Sequence, residues 1–63
     1  GRLSNLLVTY EFTSSNGEAR RLIEQGAVQI NGDPVTTNEK LSSLALKTGD
    51  IIRAGRRKYL KVE

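Results

Sequence analysis

The stretch SSNGEARRLIEQGAVQINGDPV, residues 14 to 35, decides the fold. Ser15 followed by Glu18 is the S-x-x-E capping box, in which each side chain satisfies a backbone N–H left without a partner at a helix start. A helix therefore begins here. Its apolar positions Ala19, Leu22 and Ile23 share one stripe, whereas Arg20, Arg21 and Glu24 project from the other side. Gly26 supplies the left-handed residue that ends such a helix. From Ala27 the period changes to two, with Val28 and Ile30 alternating with Gln29. Asn31-Gly32 is then the strongest short-range signal for a type I′ hairpin turn. Pro34 has no N–H to donate, so the returning strand through Val35 is expected to be short and to lie at a sheet edge.

On the N-terminal side, RLSNLLVTYEF places Leu3, Leu6, Leu7 and Tyr10 on one face of a helix of about ten residues, and that face is expected to be core. On the C-terminal side, residues 36 to 48 show no clean period and are expected to form an irregular crossing held down by Leu41, Leu44 and Leu46. TGD marks a turn before Ile51 and Ile52. The segment around Gly55 then separates that strand from a last one, Tyr59 to Val62. The expected architecture is α+β: two short N-terminal helices packed on a small, mostly antiparallel sheet of about four to five short strands. All 63 residues belong to a single domain, and a chain this short buries only about 60 % of its unfolded surface, so its core is thin. Gly1 in place of an initiating Met suggests a fragment or a processed product, and the ending in a short basic hairpin argues for the C-terminal fragment of a longer chain.

Several function classes are excluded by composition. With no Cys and no His, the chain has no disulfide framework, no Cys/His zinc site and no imidazole for acid/base work. Each carboxylate has a structural use: Glu18 caps, Glu24 can pair with Arg20 across one helical turn, and Asp33 and Asp50 sit in turns. Ser14 and Ser15 are cap residues rather than nucleophiles, and no G-x-x-x-x-G-K-[ST] phosphate loop is present. The isolated domain is therefore not expected to be an enzyme, and it calls for no cofactor, metal or small-molecule substrate. No apolar run approaches the roughly 20 residues that span a bilayer. The chain is read as soluble and cytoplasmic, with no membrane partner.

The net charge of +3 is unevenly placed. Residues 1 to 49 balance Arg2, Arg20, Arg21, Lys40 and Lys47 against as many carboxylates. The excess lies in the final stretch, where Arg53, Arg56, Arg57, Lys58 and Lys61 face only Asp50 and Glu63. Such a cluster attracts phosphates, although it also serves solubility. A second basic patch on the helix, Arg20 with Arg21, is expected to meet it on one face. Convergence of two patches from distant sequence points to a phosphate backbone. With only Phe12, Tyr10 and Tyr59 as aromatics, duplex or folded RNA is favoured over single strands gripped by base stacking. If roughly four phosphates are neutralised, affinity falls on the order of 10²-fold between about 50 and 200 mM salt.

The ordered string GEARRLIEQGAVQINGDPV, followed by TGDIIRAGRRKYLKV, resembles the small RNA-binding domain named after ribosomal small-subunit protein four, here the S-four domain. That family's pattern runs through E-A-R-x-L-I-x-x-G-x-V-x-V-N-G and later G-D-x-I, and the likeness covers nearly the whole chain. SSNGEARRLI with the ending RRKYLKV is most similar to the domain appended to the C-terminus of bacterial tyrosyl-tRNA synthetases. The resemblance implies a helical face presented to structured RNA, tyrosine tRNA in that branch, gripped between the anticodon stem and the long variable arm. It also implies an ATP-using tyrosine-tRNA ligase as parent chain, a homodimer through another domain.

By position, the resemblance makes Ser15 through Arg21 the main contact, with Arg20 and Arg21 on phosphates and Arg2 where many relatives begin with Arg-Leu. Gly26, Val28 and Ile30 match structural positions. Asn16 and Gly17 depart from the Lys or Arg, then Ser or Thr, of many members, leaving helix-start amides to meet a phosphate there. The RNA-contacting set expected from charge and resemblance together is Arg2, Ser15, Asn16, Arg20, Arg21, Arg53, Arg56, Arg57, Lys58 and Lys61. Two other readings stay open. One is an S-four domain of a ribosomal or ribosome-binding protein or of a pseudouridine synthase. The other is a ubiquitin-like interaction or sulfur-carrier module, to which INGDPV and TGDIIRAG are similar, although this chain ends KVE rather than Gly-Gly.

Overall fold

A computed structural model of the chain describes residues 1–56 and 58–63. The first helix, α1, spans Leu3–Thr9. Arg2 is its N-cap, and the Arg2 N–H is taken by the Asn5 side-chain oxygen at 2.8 Å. Leu3 and Leu7 are fully buried and Leu6 is half-buried, as the spacing requires. Tyr10 departs from the expectation: it is the C-cap residue and 54 % exposed. The helix stops a turn early because Glu11 turns left-handed, at φ 61°, and the Phe12 N–H folds back onto Leu7 O at 2.8 Å. Phe12, rather than Tyr10, packs against the core.

The second helix, α2, spans Asn16–Glu24. The Ser15 hydroxyl oxygen accepts from the Glu18 N–H at 3.2 Å, so this half of the capping box forms as expected. The Glu18 carboxylate takes the Ser14 hydroxyl at 3.4 Å. At the other end Gly26 adopts φ 74°, and Gly26 N–H to Ile23 O with Ala27 N–H to Leu22 O, both 3.0 Å, complete a Schellman stop. Ala19 and Ile23 face inward and are fully buried.

Four antiparallel strands follow, β1 (Val28–Ile30), β2 (Asp33–Pro34), β3 (Ile51–Ala54) and β4 (Lys58–Lys61), in the spatial order β2-β1-β3-β4. Positive φ at both Asn31 (54°) and Gly32 (88°) makes the two-residue I′ turn, and β2 is short and at the edge, as Pro34 demands. The last strand begins one residue earlier than the alternation suggested. Val62 remains tied by its N–H to Asp50 O at 2.8 Å. The crossing is less irregular than expected, since Leu41–Leu44 form one helical turn, α3. Leu41, Leu44 and Leu46 do pack against the core.

Residues from both layers make up the core: Leu3, Leu7, Ala19 and Ile23 from the helices, and Val28, Ile52 and Ala54 from one face of the sheet. Strand alternation then sends Gln29, Ile51 and Arg53 to the other face. Removing any one large buried side chain costs about 2–5 kcal/mol, a large share of the roughly 5–15 kcal/mol that holds a domain together.

Candidate nucleic-acid interface

Arg2, Asn16 and Arg20 are brought together by the packing of α1 on α2. Arg2 starts α1, while Asn16 and Arg20 lie one turn apart on α2. The Asn5 amide reaches across to the Asn16 side-chain oxygen at 3.5 Å. With Ser4, Asn5 and Asn38 these three residues line a depression of about 380 Å³. Arg20 is exposed and borders it; Arg21, also exposed, sits about 100° further round the helix and points away from the core. Glu24 lies between the two on the helical wheel.

A polar scaffold that was invisible in the sequence holds this site. Asn38 accepts the Ser4 N–H with its side-chain oxygen and donates its amide to the Ser4 hydroxyl, both at 2.9 Å. Its backbone oxygen accepts from Arg2 Nη1 at 2.9 Å, which fixes where that guanidinium lies. The Leu3 N–H to Glu39 O bond (2.9 Å) and the Leu41 N–H to Gly1 O bond (3.0 Å) extend the clamp. Ser4, Asn5 and Asn38 are the residues that sequence reasoning missed. Only the S/T/N type of Ser4 and Asn38 hinted at a role, because their partnership spans 34 positions.

Among the described residues, the C-terminal basic side chains of the strands divide between the two faces of the sheet. Lys58 pairs with Ala54 and so lies on the helix side of the sheet, where its ammonium donates to Glu11 O at 3.1 Å and Phe12 O at 3.3 Å. It clamps the α1–α2 loop. Arg53 alternates with the buried Ile52 and Ala54, and therefore points from the opposite sheet face beside Tyr59. Lys61, opposite Ile51, closes the strand and also borders the Leu6–Tyr10–Leu46 depression. Arg56 is exposed in the β3–β4 turn, and Arg57 lies outside the described residues. The expectation of one converged surface is thus corrected by strand parity: neighbours along a strand face opposite ways.

One titration is displaced. The Asn31 amide and the Lys47 N–H hold the Asp50 carboxyl below the ordinary carboxylate value, donating to its oxygens at 3.0 and 2.9 Å. Asn31 also accepts from the Ile51 N–H at 2.9 Å, so one side chain ties the hairpin turn to β3. This cluster serves the sheet, not the depression. Among the described residues no helix is long and apolar enough to cross a membrane.

Two helices packed on a four-stranded antiparallel sheet, with Arg2, Arg20 and Arg21 exposed on the helical layer, define a small α+β domain. The chain belongs to the family described as Tyrosine--tRNA ligase SYY-like C-terminal domain, whose model matches residues 1–62. It is 42 % identical over 59 residues to a Tyrosine--tRNA ligase of Symbiobacterium thermophilum, covering 94 % of this chain and 14 % of that protein. It is 40 % identical over 57 residues to one of Dehalococcoides mccartyi, with 90 % and 13 % covered, and 38 % identical over 60 residues to one of Moorella thermoacetica, with 95 % and 14 % covered. The chain thus spans about one-seventh of the length of these relatives. Membership selects the appended-domain reading over the ribosomal, pseudouridine-synthase and ubiquitin-like ones.

Proposed function

We propose that this domain binds structured RNA with the α1–α2 face, and that it serves as the tRNA-binding appendage of a cytoplasmic, homodimeric tyrosyl-tRNA synthetase whose RNA is tyrosine tRNA. The observation that carries the reading is the meeting of Arg2, from the start of the chain, with Asn16 and Arg20 around one depression. Arg21 extends the same cationic side. Family membership supports the choice of tRNA, since the relatives are named for a ligase that acts on it. A rigid cationic face reads the shape, phosphates and 2′-hydroxyls of A-form RNA, whose deep major groove hides the bases. The Asn5 and Asn16 amides, linked to each other and to the Arg2 N–H through Asn5, add neutral donors for phosphate or 2′-oxygens.

Titration against tyrosine tRNA, a tRNA with a short variable arm and a plain RNA duplex, each at two salt concentrations, tests the reading. Tyrosine tRNA is expected to bind tightest. Three guanidinium groups on this side imply a loss of about 40-fold between about 50 and 200 mM salt. Arg20→Ala with Arg21→Ala is expected to flatten that dependence by about 1.5 in log–log slope while the circular dichroism of the folded chain is kept. Equal affinity for all three RNAs would reduce the domain to a generic RNA anchor, and salt-independent binding would remove the electrostatic contact altogether.

A further inference from the structure

Across the sheet face turned away from the helices, Pro34, Gln29, Arg53 and Tyr59 stand in one cross-strand row, each paired with the next. Tyr59 is 69 % exposed, the most open large hydrophobic side chain described. Beside this row Gln29, Ile51, Arg53 and Tyr59, with the Asn31-Gly32 turn, line a shallow depression of about 330 Å³. That lies at the low end of the roughly 300–1,000 Å³ of small-ligand clefts, a size for one flat heterocycle rather than a helix. Half-buried Ile51 gives it an apolar floor, and Tyr59 contributes an aromatic wall.

Charge selects the occupant. Arg53 and Lys61 stand in the paired rows of this face, which carry no carboxylate among the described residues. Of the flanking acids, Asp33 pairs with Ile30 in a row of the helix side, and Asp50 is occupied by Asn31 and the Lys47 N–H. A protein partner would call for a contiguous apolar patch; here a single ring is set among cationic and amide side chains. An exposed aromatic beside a guanidinium on a sheet is the arrangement that stacks an unpaired base and meets its phosphate. We propose that this outer sheet face is a second RNA contact, where one unpaired nucleobase stacks on Tyr59, Arg53 meets the adjoining phosphate and Gln29 meets the base edge. The inference rests on the domain binding RNA, and it gives the domain two opposed RNA-facing sides.

The test compares a blunt RNA hairpin with the same hairpin carrying a short unpaired tail that contains a fluorescent purine analogue. The tail is expected to tighten binding about tenfold and to quench the analogue. Tyr59→Ala is expected to remove the gain and the quench without changing affinity for the blunt hairpin, and Tyr59→Phe to keep both. Arg20→Ala with Arg21→Ala is expected to weaken both RNAs while leaving their ratio. Should Tyr59→Ala fail to fold, Arg53→Gln reads the same gain and is expected to reduce it. A gain that survives Tyr59→Ala and Arg53→Gln, or a hairpin bound with no gain from the tail, overturns this inference alone and leaves the face to a protein partner. Failure to bind either RNA overturns the proposed function with it.

Discussion

Replacing Lys58 with Met keeps the aliphatic stem and removes the ammonium that donates to Glu11 O and Phe12 O at 3.1 and 3.3 Å. Hydrogen bonds from a charged donor contribute about 1.5–3 kcal/mol where water is excluded, but Lys58 is exposed, and about 0.5 kcal/mol for each is the appropriate discount. The loss is then about 1 kcal/mol. Unfolding entropy of about 2.1 cal/mol/K per residue makes that a fall in Tm of about 8 °C for a chain of 63 residues. Thermal melts followed by circular dichroism measure it, and an RNA titration across a salt series is read beside them. A loop clamp lowers Tm and leaves the salt dependence nearly unchanged, whereas a phosphate contact lowers the log–log slope by about 0.7–0.9 and spares Tm. An unchanged Tm together with a flattened slope would refute the clamp and return Lys58 to the RNA.

Three further outcomes are expected. Asn38→Ala strands the Ser4 N–H and hydroxyl, which are 3 % exposed, and is expected to cost about 2 kcal/mol in urea unfolding; a change under about 0.5 kcal/mol would mean that water replaces the amide. Because the folded carboxyl of Asp50 titrates below its unfolded value of about 3.9, its contribution is complete above that pH and is lost as pH falls through the folded value. The stability gap between wild type and Asp50→Asn should therefore shrink in acid, and a gap constant from neutral pH downward would contradict it. Gly26→Ala places a Cβ in open space but at φ 74°, so the backbone alone sets a cost of about 1 kcal/mol, read as a shift in the urea midpoint.

Local punctuation made most of the fold legible. Ser15 and Gly26 bound α2 because capping and left-handed stops are decided within a few residues, and Asn31-Gly32 with Pro34 placed both the turn and the edge strand for the same reason. Tyr10 misled because its spacing fits the stripe, while the stop of α1 depends on Glu11 turning left-handed, which no side-chain pattern announces. Residues 36 to 48 were opaque because their order comes from Asn38 and Glu39 meeting the first residues of the chain. For the site, Arg20 was legible as a solvent-facing residue of α2, whereas Arg2 and Asn16 were placed by the family resemblance and not by pattern. Arg53 was not, since summing charge over a segment discards the side on which each strand residue emerges. Lys58 shows a related limit: a lysine that reaches a carbonyl looks, in sequence, like one that reaches a phosphate.

The bonds from Asn38 and Glu39 to the first helix also constrain the order of assembly. At 7 residues, α1 is far below the roughly 12–15 needed for marginal stability alone, so it cannot persist until a segment 34 positions downstream arrives to hold it. During synthesis the Arg2–Asn16–Arg20 depression therefore forms late, after the β1–β2 hairpin has emerged, and closure of that long loop joins β1–β3 pairing among the slow steps of folding. A nascent chain halted before Asn38 would carry both arginine-bearing segments yet leave that depression unformed.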